Sequence, residues 1–256
     1  MSKEKQEGKK VVLITGGASD TGKVLATRLA GEGHQVIITV REQAQTHRLI
    51  EDRKSKGTGF QVEVLDVTSP TSISGLIGIV TGQFGRIDVL INQIGYGLAG
   101  PIEDTSPEEA HTLFDLNFMG VHRVIRSVLP VMRQHHDGLI INMTSEFGNR
   151  GIPMLGFYCA SKFALEAYSE ALLEEVKPHN IRVCLVQPAM GTSTLSKKIE
   201  LSVQSVSEHS PYYHRTTGML RQLRMKYRTE AEPERIAGVI AGLIGEAKPR
   251  FRNLVE

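Results

Sequence analysis

The sequence predicts an α/β fold: a doubly wound parallel sheet with helices on both faces. Three observations carry that prediction. Short, unbroken apolar runs rich in β-branched residues recur from residue 11 to residue 186, and they do not alternate with polar residues, as expected of strands covered on both faces. Longer segments of helical periodicity separate them, and strand followed by helix, repeated, gives parallel pairing. The first run, "VVLIT", meets a glycine-rich turn, "GGASDTG", and then an amphipathic stretch.

In order, the strands are expected at residues 11–15, 35–40, 61–67, 88–92, 138–145 and 181–188, and the helices at 23–32, 72–84, 107–134, 158–177 and 233–245. No repeat of 20 to 50 residues, low-complexity tract or Pro/Ser-rich linker interrupts the series, so the whole chain, 1–256, is read as one domain. The pattern loosens after Pro188. Residues 191–232 are polar, serine-rich and punctuated, and an excursion at the carboxyl end of a strand is a candidate substrate lid.

Apolar residues make up 40% and charged residues 23% of the chain, the balance of an ordinary globular protein. A net charge of +2, with basic residues dispersed, is too small to imply a nucleic-acid footprint, and no nucleic-acid partner is expected. The densest basic stretch, "RQLRMKYR" at 221–228, reads as a solvated helix face, with a pocket mouth that attracts an anionic substrate or cofactor phosphate as the alternative. Two cysteines, Cys159 and Cys184, fit neither a disulfide framework nor a zinc site. The polar first ten residues carry no apolar signal segment, and no run approaches about 18 apolar residues. A cytoplasmic protein with free thiols and no membrane partner is expected. Among nine histidines only the pair His135–His136 suggests metal binding; neighbours on a helix diverge by about 100°, and no carboxylate accompanies them, so a solvated helix end is expected and no metal.

A strand, a glycine turn and a helix N-terminus cradle a dinucleotide pyrophosphate on backbone N–H groups. Gly16, Gly17 and Gly22 supply the turn, and Asp20 intrudes on it with a carboxylate that repels phosphate if it points inward. The second strand ends "TVRE": Thr39 stands where an acid would accept a ribose 2′-OH, and Arg41 offers a partner for a 2′-phosphate. The expected cofactor is NADP(H), with NAD(H) as the alternative.

In "YCASKFALEAYSEALLEEV" a phenol and an ammonium stand at i and i+4, Tyr158 and Lys162, one turn apart on one helix face. Thirteen residues earlier Ser145 ends a predicted strand, at the sheet edge where ligands collect.

At these residues the chain resembles the short-chain dehydrogenase/reductase family. The likeness runs over nearly the whole length, through "TGGASDTG", "LNFMG", "NMTS" and "YCASK" in the family's order. The resemblance implies a Rossmann-like fold and hydride transfer between a nicotinamide and a carbonyl or secondary alcohol, most simply ketone reduction. Tyr158 would exchange the proton with the substrate oxygen, and Ser145 would hydrogen-bond that oxygen. Lys162 would lower the Tyr158 pKa and hold the nicotinamide ribose, and Asn117 would anchor a relay water. Cofactor contacts carried over are Gly16, Ser19, Asp20, Thr21, Gly22, Arg41, Asp66, Val67, Asn92, Gly95, Tyr158, Lys162, Pro188 and Thr192, with Asp66 at the adenine and Thr192, Ser193 or Thr194 at the carboxamide.

Two departures stand out. A family glycine is Asp20 here, and the family's Asn-Asn-Ala-Gly reads "NQIG", so Gln93 and Ile94 are expected to reshape the floor near the nicotinamide. Apolar residues of the excursion, among them Leu201 and Met219, suggest a medium-sized apolar substrate, and Met154 and Met190 are core filling or pocket wall. The family also implies a homodimer or homotetramer through the two long helices. Two other functions remain compatible with these residues: an NADP-binding regulatory or scaffold protein, and a dehydratase or epimerase of the same family.

Overall fold

The apolar runs become a parallel sheet because each is buried on both faces. The structure is a computed structural model describing residues 8–56, 59–189, 199–226 and 232–255. Its main sheet contains β1 (Val11–Thr15), β2 (Gln35–Val40), β3 (Gln61–Val64), β4 (Val89–Asn92), β6 (Gly138–Met143), β7 (Ile181–Pro188) and β9 (Arg252–Val255). Between β4 and β6 lies a short strand, β5 (Gly97–Ala99), and between β7 and β9 another, β8 (Ile199–Leu201); these two pair with each other. The order β3-β2-β1-β4-β6-β7-β9, all parallel, is doubly wound and Rossmann-like.

Successive side chains enter opposite layers. Ile14, Ile38, Ile91 and Ile141 pack against α1 (Asp20–Gly31) and the last helix (Glu232–Gly245), through Leu25, Leu29, Ile236 and Ile240. Leu13, Ile37, Leu90 and Ile140 pack on the other face through Ile73, Ile125 and Leu165. Those three residues belong to α3 (Pro70–Phe84), α5 (Gly120–His135) and α6 (Gly156–Val176). A further helix, α2 (Gln43–Lys56), follows β2; α4 (Pro107–Phe114) precedes α5; and α7 (Tyr213–Lys226) precedes the last helix, α8.

Several expectations are corrected. The long helix at 107–134 is divided: a π-helical turn, Asp115–Met119, separates α4 from α5. The third strand stops at Val64 rather than 67, because Asp66 folds a turn by accepting Thr68 N at 2.9 Å and Ser69 N reaches Asp66 O at 3.1 Å. The strand expected to end at Ser145 stops at Met143, and Ser145 caps a 3₁₀ turn, Glu146–Gly148. Unforeseen are α2, mostly polar, the three- and four-residue strands β5, β8 and β9, and the first part of α7, of which only 221–228 reads as a helix face.

The excursion after β7 is tied down where it is described. Ser202 N donates to Ala99 O at 2.9 Å and Val203 N to Glu109 Oε1 at 2.8 Å. The same Glu109 closes a capping box with Ser106 at the start of α4. Tyr212 Oη donates to Glu103 Oε2 at 2.7 Å. No helix among the described residues is long and apolar enough to cross a membrane.

Candidate active site

The chain reverses its winding direction at β1, leaving a crevice beyond the carboxyl ends of β1 and β4. There Ser19 caps α1, its Oγ accepting from Gly22 N at 3.1 Å. Gly22 packs so closely on the turn that a Cβ would lie 2.7 Å from Gly17 Cα, which only glycine escapes. Thr39 fastens the turn to β2: Gly17 N donates to its carbonyl at 2.8 Å and Gly16 N to its Oγ1 at 3.3 Å. Asp20 opens the first turn of α1 and is exposed, where an acid suits the helix dipole.

A cleft of about 450 Å³ runs along these elements. Its walls include the expected Gly16, Ser19, Arg41 and Gly95, together with Ile94. Tyr96 and Glu200 are among its unforeseen residues; Glu200 arrives through the β5–β8 pairing, a contact with no local sequence signal. Helix N-terminus, glycine turn and an apolar wall of Val40, Leu65 and Ile94 fit the chemistry of a nucleotide, with donors for phosphate and an apolar surface for a base.

Of the other expected contacts, none is among the residues that line this cleft. The Asp66 carboxylate accepts from Thr68 Oγ1 at 2.7 Å as well as from Thr68 N, and these bonds hold its pKa below the usual carboxylate range. Val67 is buried in the core at 1% exposure and abuts Gly120. Thr21 is buried in the first turn of α1, and Pro188 ends β7 beside Val255. Asn92 Nδ2 donates to Asn142 Oδ1 at 2.8 Å, joining β4 to β6. Gln93 Nε2 donates to Ser19 Oγ at 2.5 Å, which ties the end of β4 to the glycine turn. Met190, Thr192, Ser193 and Thr194 lie outside the described residues.

Tyr158, Lys162, Ser145 and Asn117 are brought together and are all buried. Lys162 Nζ lies 5.9 Å from the Tyr158 ring centroid and donates to Met143 O at 3.0 Å, two residues before Ser145. Ser145 takes extended backbone, its Oγ accepting from Phe147 N at 3.2 Å and hydrogen-bonding the Tyr158 phenol.

The π turn aims Asn117 inward. Its Oδ1 accepts from Tyr96 N at 3.1 Å, while Nδ2 donates to Tyr96 O at 2.9 Å and to Ser161 Oγ at 3.2 Å. Gly95, at φ +144°, is required beside it: a Cβ there would lie 2.9 Å from Asn117 Oδ1.

Burial pushes the Tyr158 phenol well above its ordinary value, and the Ser145 hydrogen bond opposes this only in part. Burial sets the net direction, because desolvating a phenolate at 5% exposure outweighs what its neighbours return. The cover over Tyr158 is apolar, with Phe147 edge-on at 6.4 Å and Ile199, Leu201 and Met219 in the same cluster. Met154, buried and in the left-handed region at φ +67°, accepts from Gly100 N at 2.8 Å. His135 bonds Gly85 O at 2.9 Å and His136 ends α5. Among the described residues no group of three metal-binding side chains forms.

The fold and the gathered Ser, Tyr and Lys side chains define a class, the nucleotide-dependent oxidoreductases of the doubly wound type. The chain matches the short chain dehydrogenase family over residues 10–203 and belongs to it. Members are oxidoreductases acting on CH–OH groups with a nicotinamide cofactor, and this chain is such an enzyme.

A 3-ketodihydrosphingosine reductase from Bacteroides thetaiotaomicron is 34% identical over 245 residues, 96% of this chain and 87% of the relative. Retinol dehydrogenase 8 from Bos taurus is 32% identical over 254 residues, 95% and 80% of the two chains. A short-chain dehydrogenase crystal structure from Streptomyces avermitilis superposes with a TM-score of 0.85 at 30% identity, covering 98% of this chain and 89% of that one. A metagenomic short-chain oxidoreductase holding NADP (TM-score 0.74, 25% identity) and an NAD⁺-bound xylitol dehydrogenase (0.79, 27%) each cover 96% of both chains.

Proposed function

We propose that this enzyme transfers hydride between NADP(H) and the carbonyl or alcohol carbon of a medium-sized apolar molecule, working as a ketone reductase. The observation that carries the reading is the buried phenol of Tyr158, hydrogen-bonded to Ser145 beneath an apolar cover. The cofactor, when bound, supplies the hydride. The substrate oxygen then gathers negative charge, which the Ser145 hydroxyl stabilises and the Tyr158 proton neutralises. A phenol whose pKa is raised stays protonated at neutral pH, the form that reduction needs.

Lys162 holds the nicotinamide ribose, and Asn117, with a second lone pair on Oδ1, anchors a relay water. Gly16, Ser19, Thr21 and Gly22 receive the pyrophosphate on their side of the cleft, with Asp20 turned outward. Asp66, Val67, Asn92, Gly95 and Pro188 follow the dinucleotide toward Thr192.

Arg41 supports the NADP(H) choice: it lines the cleft where Thr39 is already committed to the glycine turn. The two relatives, named for a ketone and an alcohol of large apolar molecules, favour an apolar substrate. We further propose a single domain over 1–256, a cytoplasmic location, and a homodimer or homotetramer.

Nicotinamide fluorescence on titration with NADPH, then loss of absorbance at 340 nm with 2-decanone, cyclopentanone and retinal, tests the assignment. Tyr158→Phe is expected to lower kcat by about 10² to 10⁴. Near-full turnover in that variant overturns the role of the phenol. A protein that binds NADPH and converts no ketone is the regulatory alternative, and product analysis exposes dehydration or epimerisation.

A further inference from the structure

The side chain one turn beyond Lys162 on the same face of α6 is Glu166, eight residues from Tyr158, and only 6% of it is exposed. Its carboxylate gathers three donors from three separate segments. Thr144 Oγ1 donates to Oε1 at 2.7 Å, Gln187 Nε2 donates to the same oxygen at 3.0 Å, and Arg252 Nε donates to Oε2 at 3.0 Å. Arg252 continues to Glu170 Oε1 at 2.6 Å. Gly148 leaves room for the carboxylate: a Cβ there would press on Glu166 Cγ at 3.0 Å.

The donors are not scattered. Thr144 is bonded directly to Ser145, and Gln187 directly to Pro188, where β7 ends. The two segments also touch each other, Thr144 N donating to Val186 O at 2.9 Å. Thr144 and Gln187 are themselves buried, at 5% and 6% exposure. Glu166 is therefore the point at which the catalytic helix grips the ends of β6 and β7, with Arg252 of β9 supplying the countercharge.

A buried carboxylate is a weak contributor to stability, since apolar residues of similar volume commonly replace buried ion pairs at little cost. What a carboxylate with several fixed donors provides is one defined geometry. We propose that Glu166 is a positioning residue for the reaction assigned above. By holding Thr144 it fixes the Ser145 hydroxyl against the Tyr158 phenol. The inference rests on the proposed function and adds a residue that does not touch substrate.

The test is a double-mutant cycle between Glu166→Gln and Ser145→Ala, read as NADPH oxidation with 2-decanone or whichever ketone of the panel turns over fastest. The amide of Glu166→Gln keeps an acceptor for Thr144 but sets N–H groups against Arg252, so the grip loosens without a large change of shape. The expected result is a fall in kcat of about tenfold in the single variant, with KM for NADPH within about twofold of the parent. In the Ser145→Ala background the same change is expected to cost less than about twofold, because the group it positions is gone.

Thr144→Val, which removes a single hydrogen bond, repeats the cycle should Glu166→Gln fail to fold, as judged by circular dichroism. Crystal structures of the variants give a readout apart from activity: Ser145 Oγ should move relative to Tyr158. Multiplicative effects across the cycle, or an unmoved Ser145, overturn the proposal while leaving the enzyme assignment standing. Ser145→Ala turning over at the parent rate overturns the role proposed for Ser145, and this inference with it.

Discussion

Arg41 and Asp20 sit at opposite sides of the cofactor question, and the structure separates them. Thr39 Oγ1 accepts from Gly16 N, so the end of β2 spends its side chain on holding the glycine turn and offers no acid to a ribose hydroxyl. Arg41, exposed and in the cleft wall, is the side chain there with a charge that a 2′-phosphate would meet. Arg41→Ala is expected to weaken NADPH by about tenfold or more and to leave NADH nearly unchanged, since the lost charge-assisted bonds exist for the phosphorylated cofactor alone. Asp20 instead stands at the first turn of α1, exposed and outside the cleft wall. Its field acts on both cofactors alike through solvent, so Asp20→Gly should tighten both by a similar factor of about fivefold at most. Dissociation constants of each variant for each cofactor decide the matter. Arg41→Ala shifting NADH as much as NADPH sinks the specificity reading and spares the oxidoreductase.

At the scale of elements, the divided helix shows how a fold element serves a site. The π turn at Asp115–Met119 inserts its extra residue where Asn117 must reach both Tyr96 and Ser161, and Ser161 Oγ passes the contact to Tyr158 O at 2.8 Å. Farther along, α5 ends on His136 in the left-handed region at φ +47°, exposed, with its N–H on the last carbonyls of the helix. Glycine adopts that conformation without the Cβ penalty. His136→Gly should therefore raise stability by about 1 kcal/mol, or about 2–4 °C in Tm by calorimetry; a lowered Tm would show that the imidazole contributes a contact of its own. The sequence makes such local features readable to differing degrees. Tyr158 and Lys162 are legible because i, i+4 spacing on a helix is local geometry, and Ser145 because a strand end in a doubly wound sheet is a ligand edge. A π turn does not interrupt the apolar periodicity, so 107–134 reads as one helix. β8 and Glu200 depend on a partner about one hundred residues away, and the bond from Gln93 to Ser19 at 2.5 Å joins residues that only the fold brings together.

For the molecule as a whole, the question is what covers the outer face of α5 and α6. Between these helices runs a groove of about 340 Å³, lined by Leu129, Pro130, Tyr168, Ala171 and Leu172, with His122, Arg126, Arg133 and Glu175 as its polar residues. The apolar residues along it, Leu129, Pro130, Ala171 and Leu172, are the side chains that a partner would cover. The proposed assembly places a second copy there: a two-fold axis between paired α5 and α6 helices builds a four-helix bundle, a self-complementary interface that closes on itself. Ala171, small and central, lets two helices approach, and α6 also carries Tyr158, Lys162 and Glu166, so what packs on its outer face bears on the helix that holds the site. Light scattering at micromolar concentration should give twice or four times the chain mass. Ala171→Arg, which sets a long cation into the seam, should lower that mass toward the single chain while the circular dichroism spectrum stays that of the folded parent. A parent that is strictly monomeric removes the assembly. A variant that keeps the parent mass moves the interface to another face, since a seam through this groove has no room for the added guanidinium.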